Sequence, residues 1–204
     1  DRPHQGRAAV AMHVVVEGES DKAAARRVAE FAGRQVLHVT VTRGKTKLDS
    51  KLANYSRAAR DQPWVVFRDS DNQCPVSLRQ RLLTGIPDNP LFALRIVHTM
   101  TEAWLMADRL GFSRYFAVSS DTVPVDPEAK AHAKQTLLHL CQRSRSRDIR
   151  EEVVHGQAHP GPLFVEHLTE FASRHWNVSA AAQSCPSLQR AITAIQALPK
   201  AGQR

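Results

Sequence analysis

The stretch Val14-Val15-Val16-Glu17-Gly18-Glu19-Ser20-Asp21 joins a β-branched apolar run to a cluster of carboxylates. Met12 to Val16 is too short for a helix and reads as a buried strand. Ser20 or Asp21 is placed to cap the Ala/Arg-rich helix that follows, which ends near Gly33. Carboxylates therefore stand where a buried strand stops. A second stretch repeats the arrangement: Trp64-Val65-Val66-Phe67 leads through Arg68 into Asp69-Ser70-Asp71. Val36 to Thr42 alternates apolar and polar residues, as a strand with one wetter face does, and Phe92 to His98 reads as a fourth strand. Helical segments lie between, at Leu48 to Arg60, Pro75 to Leu83 and, with Thr101 as its cap, Thr101 to Asp108. Gly44-Lys45-Thr46-Lys47 reads as a basic loop. Strands separated by helices imply right-handed parallel crossovers, hence an α/β fold with a parallel sheet of about four strands flanked by helices.

After Pro127 the pattern becomes helical, with helices expected at Ala129 to Cys141, Leu163 to Trp176 and Pro186 to Leu198. The expected organisation is a core over 12–126 and a helical carboxy-terminal extension over 127–204 packed on it. Residues 1–11, which precede the first strand, are set aside as a disordered or non-native leader.

The chain of 204 residues is 42% hydrophobic, enough for a core, but its apolar runs are too short to cross a bilayer. The amino terminus has a basic start without an apolar signal core, which speaks against secretion. Cys74, Cys141 and Cys185 are widely spaced and form no C-x-x-C pair, so a disulfide framework and a zinc site are both disfavoured and a cytoplasmic location is expected. A net charge of +8 favours a polyanionic partner.

Asp69 and Asp71 are two residues apart. On an extended backbone they point to the same side and could share one hard cation, which magnesium holds with one or two carboxylates plus water and phosphate oxygens. A solvated turn is the plainer reading of Asp-Ser-Asp-Asn. Glu17 lies at the matching end of a different strand, and parallel strands bring such ends to one rim. Gly18 beside it permits an unusual turn or a close approach. A glutamate there can ligate a metal or move a proton, or simply favour a helix amino terminus.

In this order, Val-Val-Val-Glu17-Gly18-Glu-Ser-Asp followed by Val-Val-Phe-Arg-Asp69-Ser-Asp71 resembles the TOPRIM domain of topoisomerases, primases and overcoming-lysogenization-defect (OLD) type nucleases. Glu102-Ala-Trp104-Leu105-Met-Ala107-Asp108, Ala133-Lys134-Gln-Thr-Leu and Cys185-Pro186-Ser187-Leu188-Gln-Arg resemble landmarks of a bacterial TOPRIM-like family related to those nucleases and to phage-defence effectors. The resemblance spans roughly Met12 to Leu198. It implies that Glu17 is a catalytic acid/base or ligand, that Asp69 and Asp71 hold Mg2+ (or Mn2+), and that Glu102 completes the site. Asp108, turned about 240° from Glu102 on a regular helix, reads as structural. His155 to Pro162 lacks the lysine such a family carries distally, and the role of Lys134 is left open.

Arg43, Lys45 and Lys47 could grip a phosphate beside the rim, and Arg68 could neutralise the carboxylates or contact a phosphate. Arg143, Arg145 and Arg147 form a further candidate nucleic-acid contact patch, with a solvated loop as the alternative. Asp21 could support the site from outside, with capping of the first helix as the plainer reading. His155 and His159 have i, i+4 spacing, but Gly156 and Pro160 argue against a metal-binding helix. Gly44-Lys45-Thr46 lacks the earlier glycine of a phosphate-binding loop. Tyr55 and Tyr115 are the only tyrosines and neither has the setting of a topoisomerase nucleophile.

The expected function is a magnesium-dependent nuclease, with two ions stabilising the attacking and leaving oxygens. Expected partners are nucleic acid, an ATPase partner protein as in related defence systems, and a second copy in a homodimer, with no membrane. The rival readings are a non-catalytic nucleic-acid-binding or regulatory subunit that keeps the scaffold, and phosphoryl chemistry on a small molecule.

Overall fold

The computed structural model describes residues 10–199. In chain order, β1 (Val10–Val16), α1 (Glu19–Phe31), β2 (Arg34–Val41), α2 (Lys45–Ser50), α3 (Leu52–Ala58), β3 (Trp64–Asp69), α4 (Pro75–Leu83), β4 (Phe92–Val97) and α5 (Thr101–Ala107) form the first part. They are followed by α6 (Arg109–Tyr115), α7 (Ala133–Gln142), α8 (Arg147–Glu152), β5 (Val154–His155), β6 (His159–Pro160), α9 (Phe164–Glu170), α10 (Val178–Ser184) and α11 (Pro186–Ala197). The fold is α/β: β1 to β4 make an all-parallel sheet in the order β2-β1-β3-β4.

Side-chain alternation splits the core across the sheet. Val14, Val16, Val65, Phe67 and Val97 face α1, α5 and the carboxy-terminal helices, in a cluster that includes Leu137, Phe171, Leu188 and Ile192. Val15, Val66, Leu94 and Ile96 face the opposite way, onto Leu48 and Leu52 of α2 and α3 and Leu78 of α4. A parallel sheet covered on both faces needs continuous apolar strands, which is why Val14-Val15-Val16 and Val65-Val66-Phe67 carry no polar interruption. Helices beyond residue 127 share the core of the first cluster with the sheet. No helix among the described residues is long and apolar enough to cross a membrane.

Several local expectations change. β1 begins at Val10, so the segment set aside as a leader supplies two strand residues, and its residues 1–9 lie outside those described. The helix expected from Leu48 starts at Lys45 and breaks at Lys51, which puts Lys45 and Lys47 in a helical first turn instead of a loop. The α1 cap is Gly18, with Asp21 at the third position accepting from Gly18 N at 2.9 Å. Met100, not Thr101, precedes α5, and α6, α8 and α10 are helices that local pattern did not announce. His155 and His159 face each other across the β5–β6 pair, exposed, and not on a helix.

Candidate active site

The register fixes the rim. Val15 pairs with Val66 and Asp69 with Val97, so β3 and β4 end level and β1 stops two residues short of them at the same rim. Glu17, just past β1, accepts a hydrogen bond at 3.0 Å from the backbone N–H of Asp69, the last residue of β3. The N–H of Gly44 bonds to Glu17 O at 3.1 Å, which ties the turn carrying Arg43 and Lys45 to the same rim. Glu102, the second residue of α5, is 2% exposed.

Gly18 is extended (φ −125°), so no left-handed turn requires glycine there. Its value is closeness: a Cβ would stand 3.2 Å from Asp21 Oδ2. Asp71 departs from expectation more sharply. The extended backbone ends at Asp69, and Asp71 and Asn72 are left-handed, with φ of 47° and 66°. The same-side relation of residues two apart holds only within a strand. Asp69 and Asp71 consequently belong to different groups of charges.

The outer group surrounds Arg68, which is buried. Its Nε meets Asp49 Oδ1 at 3.0 Å, and its Nη1 meets Asp71 Oδ2 at 3.2 Å and Glu17 Oε1 at 3.3 Å. Lys45 Nζ caps Asp71 Oδ2 at 2.9 Å, and this contact raises the lysine's pKa. The inner group comprises Asp69, Asp21 and Glu102. Burial, then the charges of Asp21, Glu102, Glu17 and Asp71, push the Asp69 carboxyl well above the usual aspartate range. Burial likewise raises Asp21, Glu102 and, against the pull of Arg68, Glu17. The cation of this group is Lys134 at the start of α7, whose Nζ lies 3.4 Å from Glu102 Oε1. That oxygen is buried and makes no well-formed hydrogen bond.

The roles of Lys134 and Asp49 were not assigned from sequence, and Asp21 was offered there only as outside support or a cap. Asp21 combines capping with membership of the cluster, since its charge pushes up the carboxyls of Asp69 and Glu102. Asp108 is structural: it caps α6 by accepting from Gly111 N at 3.0 Å and also accepts from Asn177 N at 2.8 Å. His98 Nδ1 lies 2.9 Å from Ser70 Oγ, holding the β3 and β4 ends together. Arg43 and Lys47 are exposed at the rim. Arg143 and Arg145 lie beyond the other end of α7, whose ten residues span about 15 Å. Arg147 is exposed and paired with Glu151 at 2.8 Å. The Tyr115 hydroxyl contacts His167 Nδ1 at 3.0 Å, and burial with Glu170 and Glu152 pushes its pKa up to about 12, contrary to the needs of a nucleophilic phenolate.

Among the described residues, no three His, Cys, Asp or Glu side chains converge on a common metal-ligating point. The donor type suits magnesium, which needs only one or two protein carboxylates with water: the charges of Asp21, Glu102 and Glu17 all bear on the buried Asp69. Replacing Lys134 by Met tests the inner group. It removes the cation beside Glu102, so the carboxyl pKa rises further and urea denaturation at neutral pH should show a loss of about 1.4 kcal/mol for each further pKa unit of rise. An unchanged midpoint would show that Glu102 is not held by this lysine.

Comparison with protein-family models, with curated proteins and with solved structures finds no match for the chain. The TOPRIM resemblance stands on its ordered motifs and on no relative.

Proposed function

We propose that the chain is a magnesium-dependent phosphodiester hydrolase acting on nucleic acid. The observation carrying this reading is the meeting of Glu17, Asp21, Asp69 and Glu102 at one sheet rim, with raised pKa values, in a chain of net charge +8. Structural carboxylates are ordinarily paired; a crowd of them with elevated pKa is a signature of function. Asp69 and Glu102 would hold the ion together with water and phosphate oxygens, with Glu17 beside them through its hydrogen bond from the Asp69 N–H. Bound magnesium supplies neutralising charge for a phosphodiester and a more acidic water.

The chain's own groups perform the remaining tasks. Glu17, whose carboxyl is shifted upward, holds or accepts a proton closer to neutral pH than a free glutamate. Arg43 and Lys47, exposed beside Glu17, attract and position the phosphate backbone without reading bases. Lys45 and Arg68 lower the field of Asp71 and Glu17 so that a polyanion can approach. Lys134 pulls the Glu102 carboxyl down against the rise that burial imposes.

A non-catalytic nucleic-acid-binding subunit is favoured by one observation: Arg68 already neutralises Glu17, Asp49 and Asp71, as an internal substitute for a cation. Labelled RNA and DNA, incubated with Mg2+, Mn2+ or chelator, separate the two. The enzyme reading expects metal-dependent cleavage by the wild type and none by Asp69→Ala, with binding preserved. Equal binding by both proteins and no cleavage by either, with or without a partner ATPase, would support the binding subunit.

A further inference from the structure

A cavity of about 570 Å3 opens between the end of α6, the segment 118–122, the outer stripe of α7 and the arginines that follow it. Thr136, His139, Leu140 and Arg143 recur at helical spacing along one wall, and Arg145 closes the end. No carboxylate lines it. Neither Arg143 nor Arg145 forms an ion pair among the described residues, whereas the nearby Arg147 is engaged by Glu151.

The arginines are held in place from below. Ser144 between them is buried and donates to Phe116 O at 2.7 Å, while the N–H of Arg145 bonds to Ala117 O at 2.9 Å. Ser144 Oγ also accepts from Ser146 N at 3.0 Å. The backbone of the arginine turn is thus pinned to the end of α6, and both guanidinium groups leave it exposed, on a fixed base. This differs from a mobile basic loop, because the cost of ordering the backbone has been met by folding.

The hydroxyls divide into two kinds. Ser119 and Ser120 make no side-chain hydrogen bond among the described residues and are free to donate to an anion. Ser113 and Thr122 donate to Val118 O at 2.6 Å and Ser119 O at 2.7 Å, and Thr136 donates to His132 O at 3.2 Å. These three retain acceptor capacity only, which suits ligand hydroxyl groups. No Phe, Tyr or Trp lines the cavity, and His139 is the one ring on its wall. The volume lies in the usual range for small-molecule sites and exceeds what a bare anion fills.

We infer that this cavity binds a phosphate monoester carried on a sugar, the phosphate on Arg143 and Arg145 with Ser119 and Ser120, and the sugar hydroxyls on Ser113, Thr122 and Thr136. Guanidinium forks match phosphate oxygens in geometry as well as charge. The phosphosugar can come from a free mononucleotide or from the phosphorylated end of a strand. The site is independent of the acidic rim and does not rest on the nuclease reading.

Calorimetric titration of the full chain, with chelator present and ionic strength constant, tests it. The probes are ribose 5-phosphate, adenosine 5′-monophosphate, adenosine, and a short oligonucleotide with either a 5′-phosphate or a 5′-hydroxyl. The two phosphosugars should bind and adenosine should not. Arg143→Ser/Arg145→Ser should weaken binding at least tenfold, while Arg174→Ser, an exposed arginine paired with Glu170, should not. Preference for the phosphorylated oligonucleotide over the mononucleotide assigns the site to strand ends, and the reverse assigns it to a free nucleotide. Equal affinity in wild type and double variant, or no difference between adenosine and its monophosphate, overturns the proposal. Asp69→Ala should bind the probes like wild type, so this site and the nuclease reading fail separately.

Discussion

Asp69→Asn should raise the melting temperature of the metal-free protein near neutral pH and, on the proposed nuclease reading, sharply reduce metal-dependent cleavage. Both effects arise from one carboxyl group. Burial and four acidic neighbours raise its pKa in the folded state above the ordinary aspartate value. An acid whose folded pKa is raised contributes most stability below its unfolded pKa of about 4, and loses it as pH climbs through the folded value. The wild type should therefore lose stability as pH rises from about 4 towards the raised value. Asp21, Glu102 and Glu17, shifted the same way, add to the slope. Asparagine keeps the shape without the charge and flattens this dependence. Each pKa unit corresponds to about 1.4 kcal/mol, and each kcal/mol to roughly 2–4 °C in a chain of this size. Magnesium should stabilise the wild type and leave the variant almost unmoved. Cleavage should fall by at least about 10²-fold, the loss expected on removing one preorganised electrostatic group. Thermal melts across pH 4–8, with Mg2+ and with chelator, check all of this. A variant that melts below wild type at neutral pH would show that Asp69 is satisfied in the metal-free fold, and the acidic pocket would lose its functional meaning.

How far the site could be read without coordinates depends on the range of the interaction. Glu17 and Asp69 were legible because short β-branched runs identify parallel strands, and parallel strands end on one rim. Their contact, the Asp69 N–H on Glu17 Oε1, follows from topology. For Asp71 the sequence left two readings, a cation shared with Asp69 along an extended strand and a turn, and the left-handed backbone favours the turn. The local chemistry held the warning: Asp and Asn tolerate left-handed backbone, and Asp-Ser-Asp-Asn is a turn former. Asp21 was read as a cap or a site residue, when the capping geometry is what aims its carboxyl at the cluster.

Lys134 shows the other limit. It is 32 positions beyond Glu102 and reaches it only because α7 packs on α5, a matter of the tertiary core around Ala133, Leu137 and Leu138. No spacing rule connects the two. The same holds for the cavity beside α7, where the arginine cluster was visible as charge but its pinning by Ser144 to the end of α6 was not.

Arg68→Met should destabilise the fold by about 3–5 kcal/mol, the cost of removing one partner from a buried charge cluster, which lowers the melting temperature by roughly 6–20 °C. Arg68 lies on a strand covered on both faces, where an unpaired charge is not tolerated, and it reconciles Glu17, Asp49 and Asp71 at once. Methionine fills most of the volume, so the loss reports charge and not a cavity. Arg68→Lys should recover only part of it, since a point ammonium cannot reproduce contacts made separately by Nε and Nη1. The informative arm is magnesium. If Arg68 is the internal cation that holds the outer carboxylates in the metal-free state, then Mg2+ should restore more stability to Arg68→Met than it adds to wild type, because the vacated charge is supplied by the ion. Equal magnesium shifts in both proteins would mean that the guanidinium and the metal act on separate carboxylates, and that Glu17 is a structural partner of Arg68 and no ligand.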